Sequence, residues 1–123
     1  MVDFYLIKKQ IELEFADIID SVSIYEVNEM RIILIDETFI DVWFSLKLKN
    51  RYSYHWERRF KDNTIYRHDN IPHKKWQNIK TFPKHFHDKG PYNVKESFIN
   101  ENINEGIVEF LTFAREKLKS LIR

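Results

Sequence analysis

Arg51–Phe60 reads RYSYHWERRF, and its alternation decides the fold. In an extended chain Tyr52, Tyr54, Trp56 and Phe60 share one side, and Arg51, Ser53, His55, Glu57 and Arg59 share the other. One aromatic and one charged face belong to a half-buried strand of an antiparallel sheet, with one side on the core and one side wet. The neighbouring stretches continue this period. Phe39–Leu46 sets Ile40, Val42, Phe44 and Leu46 against Asp41 and Ser45, while Val22–Val27 and Met30–Asp36 are rich in β-branched residues around an Asn28-Glu29 turn. Thr64–His68 returns after Asp62-Asn63. Short connections between successive strands predict an antiparallel meander of four or five strands over residues 22–69.

Helical spacing flanks the strands. Phe4, Ile7, Ile11, Phe15, Ile18 and Val22 recur at three and four residues, which predicts a helix over 3–20. Ile103, Ile107, Leu111, Ala114, Leu118 and Leu121 predict a second over 103–122, with Asn102 as N-cap and Glu105 three residues on. Phe110 and Phe113 lie off that stripe, as a second core contact or a partner-binding face. Asp69–Tyr92 holds all three prolines and is read as an ordered loop, anchored by Ile71, Trp76, Ile79, Phe82 and Phe86, with a turn of helix at His73–Ile79. The expected class is α+β in one domain spanning 1–123, with no repeat or linker.

Composition narrows the function. The 123 residues are 43% hydrophobic and 32% charged, with 2 Gly and 3 Pro, which is globular. No stretch approaches the roughly 20 apolar residues of a membrane span. The N-terminus has charges within its apolar pattern and no small-residue cleavage site, so a secretion signal is not expected. Without Cys there is no disulfide, thiol nucleophile or thiolate zinc site. A cytoplasmic location is expected.

The net charge of +1 conceals an asymmetry. Lys47–Lys89 carries 12 Lys and Arg against 4 Asp and Glu, a net of +8; the remainder carries 8 against 15, a net of −7. All five histidines lie in the basic segment. Fold alone does not require such a centre, which suits an anionic partner.

Three stretches hold those histidines: YSYHW (Tyr52–Trp56), YRHDNIPH (Tyr66–His73) and TFPKHFH (Thr81–His87). His55, beside Arg51 and Arg59 on the charged face, is either a solvated strand residue or part of a phosphate-binding row. Arg67 and Asp69 share a face if the strand persists. Asp69 then caps the following turn or fixes an imidazole tautomer. His85 and His87, two apart, point the same way in extended chain. That arrangement suits an acid–base pair, or a metal site together with His73 and Asp69.

The order YSYHW, then R-x-D-N-x-P-H, then T-F-P-x-H-x-H resembles the TumE family of toxin–antitoxin proteins. Tyr54, His55, Trp56, Arg67, Asp69, Asn70, Pro72, His73, Phe82, Pro83, His85 and His87 fall on its pattern. Ile71 and Lys74 depart from it, in place of a small aliphatic residue and a further His. The resemblance implies a small toxin encoded beside an antitoxin with a helix-turn-helix or winged-helix DNA-binding domain, and a ribonuclease-like activity.

The residues themselves favour a metal-independent endoribonuclease. RNA supplies the 2′-OH nucleophile, so the protein needs a base, an acid and cations for the phosphorane charge. Glu57, Asp62, Asp69 and Asp88 are too scattered for a two-metal site. The expected catalytic set is His73 and His85, with His87 as alternate, Arg67 on phosphate and Asp69 orienting a His. Tyr54, His55, Arg51, Arg59 and Lys84 are the expected binding residues. Trp56 and Trp76 either stack bases or lie in the core. No cofactor is expected; a homodimer is compatible with the sequence. Two readings compete: a nucleic-acid- or partner-binding module without catalysis, and a His/Asp metal-dependent nuclease.

Overall fold

The computed structural model describes residues 2–122. Helix α1 (Phe4–Glu14) is followed by strands β1 (Ile19–Glu26), β2 (Glu29–Leu34), β3 (Phe39–Phe44) and β4 (Tyr52–Arg58). A one-turn helix α2 (Arg59–Asp62), strand β5 (Thr64–Asp69), a 3₁₀ turn (Lys74–Trp76), β6 (His85–Asp88), β7 (Val94–Glu96) and helix α3 (Ile103–Ile122) complete the order. The strands form one seven-stranded antiparallel sheet in chain order. No helix among the described residues is long and apolar enough to cross a membrane.

The fold is the α+β meander read from the sequence, with seven strands where four or five were expected. β6, which carries His85 and His87, arises where a loop was expected to run, and β7 lies just beyond that loop, after Pro91. The turn of helix expected at His73–Ile79 shrinks to Lys74–Trp76. Helix α1 stops at Glu14, and Ile19 and Asp20 already belong to β1. Phe15, Ile18 and Val22 are buried all the same. Their spacing persists across the helix–strand junction because the chain stays against one core, not because it stays helical. Asp3 caps α1, its Oδ1 accepting from Tyr5 N at 2.9 Å. On α3, Asn102 Oδ1 accepts from Glu105 N at 3.3 Å.

One sheet face packs on the helices. It carries Met30, Ile32, Leu34, Ile40, Val42, Tyr52, Tyr54, Trp56 and Tyr66, against Ile7 and Ile11 of α1 and Ile107, Phe110, Leu111 and Ala114 of α3. Each fully buried aliphatic side chain here contributes about 1.5–3 kcal/mol. Phe110 is a core residue; Phe113 packs edge-on against Trp56, Tyr66 and Phe86. Leu121, expected on the stripe, is exposed. Phe60 also leaves the aromatic face, because the strand ends at Arg58 and α2 turns its ring outward to stack on Phe39.

Tyr54 meets α3 where only glycine fits. A Cβ at Gly106 would stand 2.7 Å from the Asn100 carbonyl and collide with the Tyr54 hydroxyl. That hydroxyl is buried and finds no hydrogen-bond partner among the described residues. Gly106→Ala should therefore destabilise by about 1–3 kcal/mol through overpacking, despite alanine's higher helix propensity. Tyr54→Phe should leave stability unchanged or raise it, because it deletes an unpaired buried polar group. Urea unfolding of the two variants checks both; a stabilised Gly106→Ala would mean the helix can retreat from β4.

Candidate functional site

The sheet face opposite the helices carries the polar side chains, and the strand register lines them up. One row runs Arg31, Asp41, His55, Arg67, His87 across β2 to β6. The next runs Trp43, Ser53, Asp69, His85. Period-two alternation within each strand and unbroken antiparallel pairing between them place residues from distant parts of the chain side by side.

Asp69, at the end of β5, is the hub. Its carboxylate is buried and accepts from Arg67 Nε at 2.8 Å and from Ile71 N at 2.9 Å. His85 Nε2 lies 3.3 Å from Oδ1, and His87 Nε2 lies 3.8 Å from Oδ2. Burial works to raise the carboxyl's pKa, but the contacts from His85 and Arg67 outweigh it and hold the group at about 2. Asp69 thus accepts from the turn that follows it and also lies against two histidines.

The two neighbouring histidines differ. The His85 Nδ1–H donates to the Pro83 carbonyl at 2.8 Å, and its Nε2 faces Asp69. Burial opposes its charged form, but acceptors at both ring nitrogens outweigh burial and raise its pKa. His87 donates Nδ1–H to the Pro91 carbonyl at 3.0 Å. Its pKa is lowered by burial and by the repulsion of His85, against the pull of the Pro91 carbonyl. The rings are 4.9 Å apart, edge to face. At this one carboxylate His85 is thus biased toward its charged form and His87 toward its neutral form.

The row continues away from Asp69. Arg67 Nη1 approaches His55 Nδ1 at 3.4 Å, and His55 Nε2 faces Glu57 Oε1 at 3.2 Å. An arginine can only donate and a carboxylate only accept, so His55 is the neutral Nε2–H tautomer. Beside Arg67 a groove of about 400 Å3 opens, lined by Asp41, Trp43, Ser53, His55, Arg67 and Ile71. At the other end Trp76 lies 6.2 Å from the His85 ring, 6.0 Å from His87 and 6.0 Å from His73. The loop bearing it exposes Lys74, Lys75 and Lys80.

The structure brings Arg67, Asp69, His85 and His87 together and adds His55. His73 joins only through the Trp76 ring. It is exposed, and its Nδ1 accepts from Lys75 N at 3.1 Å. His85, expected to be one of the catalytic pair, is 2% exposed, with Trp76 of the loop of residues 70–84 against its ring. Four expected binding residues are elsewhere or engaged. Tyr54 lies on the helix-facing side, fully buried. Arg51 precedes β4 and lines a separate cleft with Tyr52 and Asn102. The Lys84 ammonium donates to the Ile99 carbonyl at 2.7 Å. Arg59, on α2, forks onto Glu57 at 2.6 and 2.9 Å. The Arg31–Asp41 fork, at 2.8 and 2.9 Å, was not anticipated as part of this face. The outward parity of Asp41 was the available signal.

His68 stands apart. It points to the helix side, stacks on Phe86 at 4.3 Å and contacts Ser97 Oγ at 2.7 Å.

A meander sheet backed by two helices, with a polar, histidine-rich opposite face, defines a small α+β protein. Residues 6–118 match the family described as Toxin TumE. The chain belongs to the TumE toxin family, and membership implies an antitoxin partner. No curated protein and no solved structure matches the chain.

Burial, with Lys84 the next influence, pushes His68 down to about 4 from 6.5. The unfolded chain then binds the extra proton between these values, so stability rises with pH across that window and is lost on acidification. The loss should be on the order of 3 kcal/mol. His68→Gln keeps a partner for Ser97 and should flatten the slope, measured as unfolding midpoint against pH; an unchanged slope would show that His68 does not carry it.

Proposed function

We propose that this toxin is a metal-independent endoribonuclease whose reaction centre is the Asp69 cluster. The single observation that supports this best is the pair of imidazoles on one carboxylate, beside a guanidinium and an open groove. In this reading RNA lies along the wet face with a phosphate on Arg67, and a base packs on Trp76. His87 Nε2 takes the proton of the 2′-OH as its oxygen attacks phosphorus. The bond from phosphorus to the 5′ oxygen breaks, and His73, exposed across Trp76 and protonated on both nitrogens once its Nδ1 leaves Lys75 N, returns a proton to the leaving oxygen. The products are a 2′,3′-cyclic phosphate and a 5′-hydroxyl. His85 is a positioning residue: both its nitrogens are engaged and it is too buried to touch substrate. Its charge holds Asp69 and, with Arg67, stabilises the phosphorane.

The antitoxin of this reading carries a helix-turn-helix or winged-helix DNA-binding domain, and the toxin acts in the cytoplasm. A non-catalytic RNA-binding module would use the same basic face; binding without cleavage distinguishes it.

Purified protein should cut RNA in the presence of EDTA, and 2′-deoxy substitution at the cut site should stop it. His87→Ala should cost about 10²–10⁴-fold in rate. His73→Ala should cost a similar factor on RNA but little on an aryl phosphodiester, whose phenolate leaves without a proton. Tyr54→Phe should cut normally. Expression alone should arrest growth, and co-expression with the adjacent gene product should relieve it and give a stable complex on size exclusion. Cleavage ending in a 3′-hydroxyl would overturn the mechanism.

A further inference from the structure

The two proline carbonyls beside the cluster impose a constraint that the proposed chemistry leaves partly unmet. A carbonyl oxygen only accepts, so His85 Nδ1 and His87 Nδ1 both carry hydrogen. In the neutral rings the lone pairs then sit on the two Nε2 atoms, and both face Asp69, at 3.3 and 3.8 Å. Acceptors facing acceptors need something positive between them. A proton on His85 satisfies one of the two contacts. A metal ion would satisfy both.

We propose that Asp69, His85 and His87 form a site for one first-row divalent cation with the chemistry of Zn2+, and that its occupation silences the toxin by taking up the His87 Nε2 lone pair. The three ligand atoms lie within 4.8 Å of one another. Zinc bonds of about 2.0–2.1 Å set neighbouring ligand atoms of a tetrahedron about 3.3 Å apart. The Asp69–His85 contact already has that spacing, and His87, on the more open side, closes the remainder. An imidazole fixed by Nδ1–H on a backbone carbonyl, with Nε2 free, is the arrangement of metal-bound histidines. Arg67 and Ile71 N support the carboxylate from its outer side as such partners do. Two imidazoles and one carboxylate suit zinc and its neighbours rather than calcium or magnesium. The binding half of the proposal is independent of the ribonuclease reading; the silencing half rests on it.

The test uses full-length protein without a histidine tag. Zn2+ is titrated against a chromophoric chelator, thermal unfolding is followed with and without Zn2+, and visible absorption is recorded after loading with Co2+. Wild type should bind one ion per chain, unfold at higher temperature with Zn2+, and give the spectrum of a nitrogen- and oxygen-ligated Co2+. His87→Ala should bind at least about 100-fold more weakly, since losing a ligand exceeds the roughly 10–100-fold loss from removing a supporting partner. It should also lose the Zn2+-dependent rise in unfolding temperature. His73→Ala should bind as wild type does. No stoichiometric binding, or undiminished binding by a folded His87→Ala, overturns the site. With RNA present, one equivalent of Zn2+ should stop cleavage and EDTA should restore it; cleavage unaffected or stimulated by Zn2+ overturns silencing. Protein that binds Zn2+ as described yet cuts no RNA sinks the ribonuclease reading, and with it the silencing, while supporting the site.

Discussion

The Asp69 carboxylate is the contact on which this face of the molecule depends. It is buried at 3% exposure, where an unpaired charge is costly. Its neighbours supply what burial removes: a guanidinium, a backbone N–H and two imidazoles. Each of these comes from a different place. Arg67 is two residues back on the same strand, Ile71 N is in the turn that ends it, and the histidines are on the next strand. The carboxylate therefore fixes where β5 stops and how β6 docks beside it. Removing it would leave the Arg67 guanidinium, the Ile71 N–H and the His85 ring without their common partner, so structure and chemistry at this point cannot be separated.

The rest of the face follows from the meander. Because every strand pairs with its sequence neighbour, an outward residue on β2 is carried step by step to an outward residue on β6. Arg31, Asp41, His55, Arg67 and His87 run cation, anion, imidazole, cation, imidazole across the sheet. The helices occupy the other face entirely, which leaves these side chains no apolar cover except the loop of residues 70–84. That loop closes over the Asp69 end and leaves the His55 end open, so the site has one dry and one wet half.

This division was legible in the sequence to a definite depth. Alternation in Arg51–Phe60 identified β4 and its two faces correctly, and the i, i+2 spacings of Arg67/Asp69 and His85/His87 put each pair on one side of its strand. The burial of His85 was not legible. Strand parity says which way a side chain points, not what lies above it, and the cover comes from Trp76, nine residues earlier in a segment without periodicity. Tyr54 failed as a binding residue for a related reason: it belongs to the same motif as His55 but has opposite parity, and a motif read as a string ignores parity. Arg51 and Arg59 failed because each lies one residue beyond the strand that would have aimed it. The strands β6 and β7 were hidden by their length, four and three residues, too short for a period to show.

Charge balance adds a last step. The basic segment carries an excess of cations, yet several of those cations have internal work. Arg58 is buried between Asp36 and Asp62, Lys84 ties the segment before α3, and Arg59 is held by Glu57. The exposed Lys74, Lys75 and Lys80 are all on the covering loop, next to Trp76. The positive charge available to a polyanion is thus displaced from the sheet to the rim above it, while Arg67 is the guanidinium at the floor with its side chain 28% exposed. In the proposed reading a phosphate chain attracted by the rim meets Arg67 at the covered end of the floor, where the guanidinium is hydrogen-bonded to Asp69, while Arg31 at the far end of the row is forked onto Asp41. In the proposed reaction the loop attracts RNA, Arg67 positions a phosphate, and Asp69 connects that position to the imidazoles.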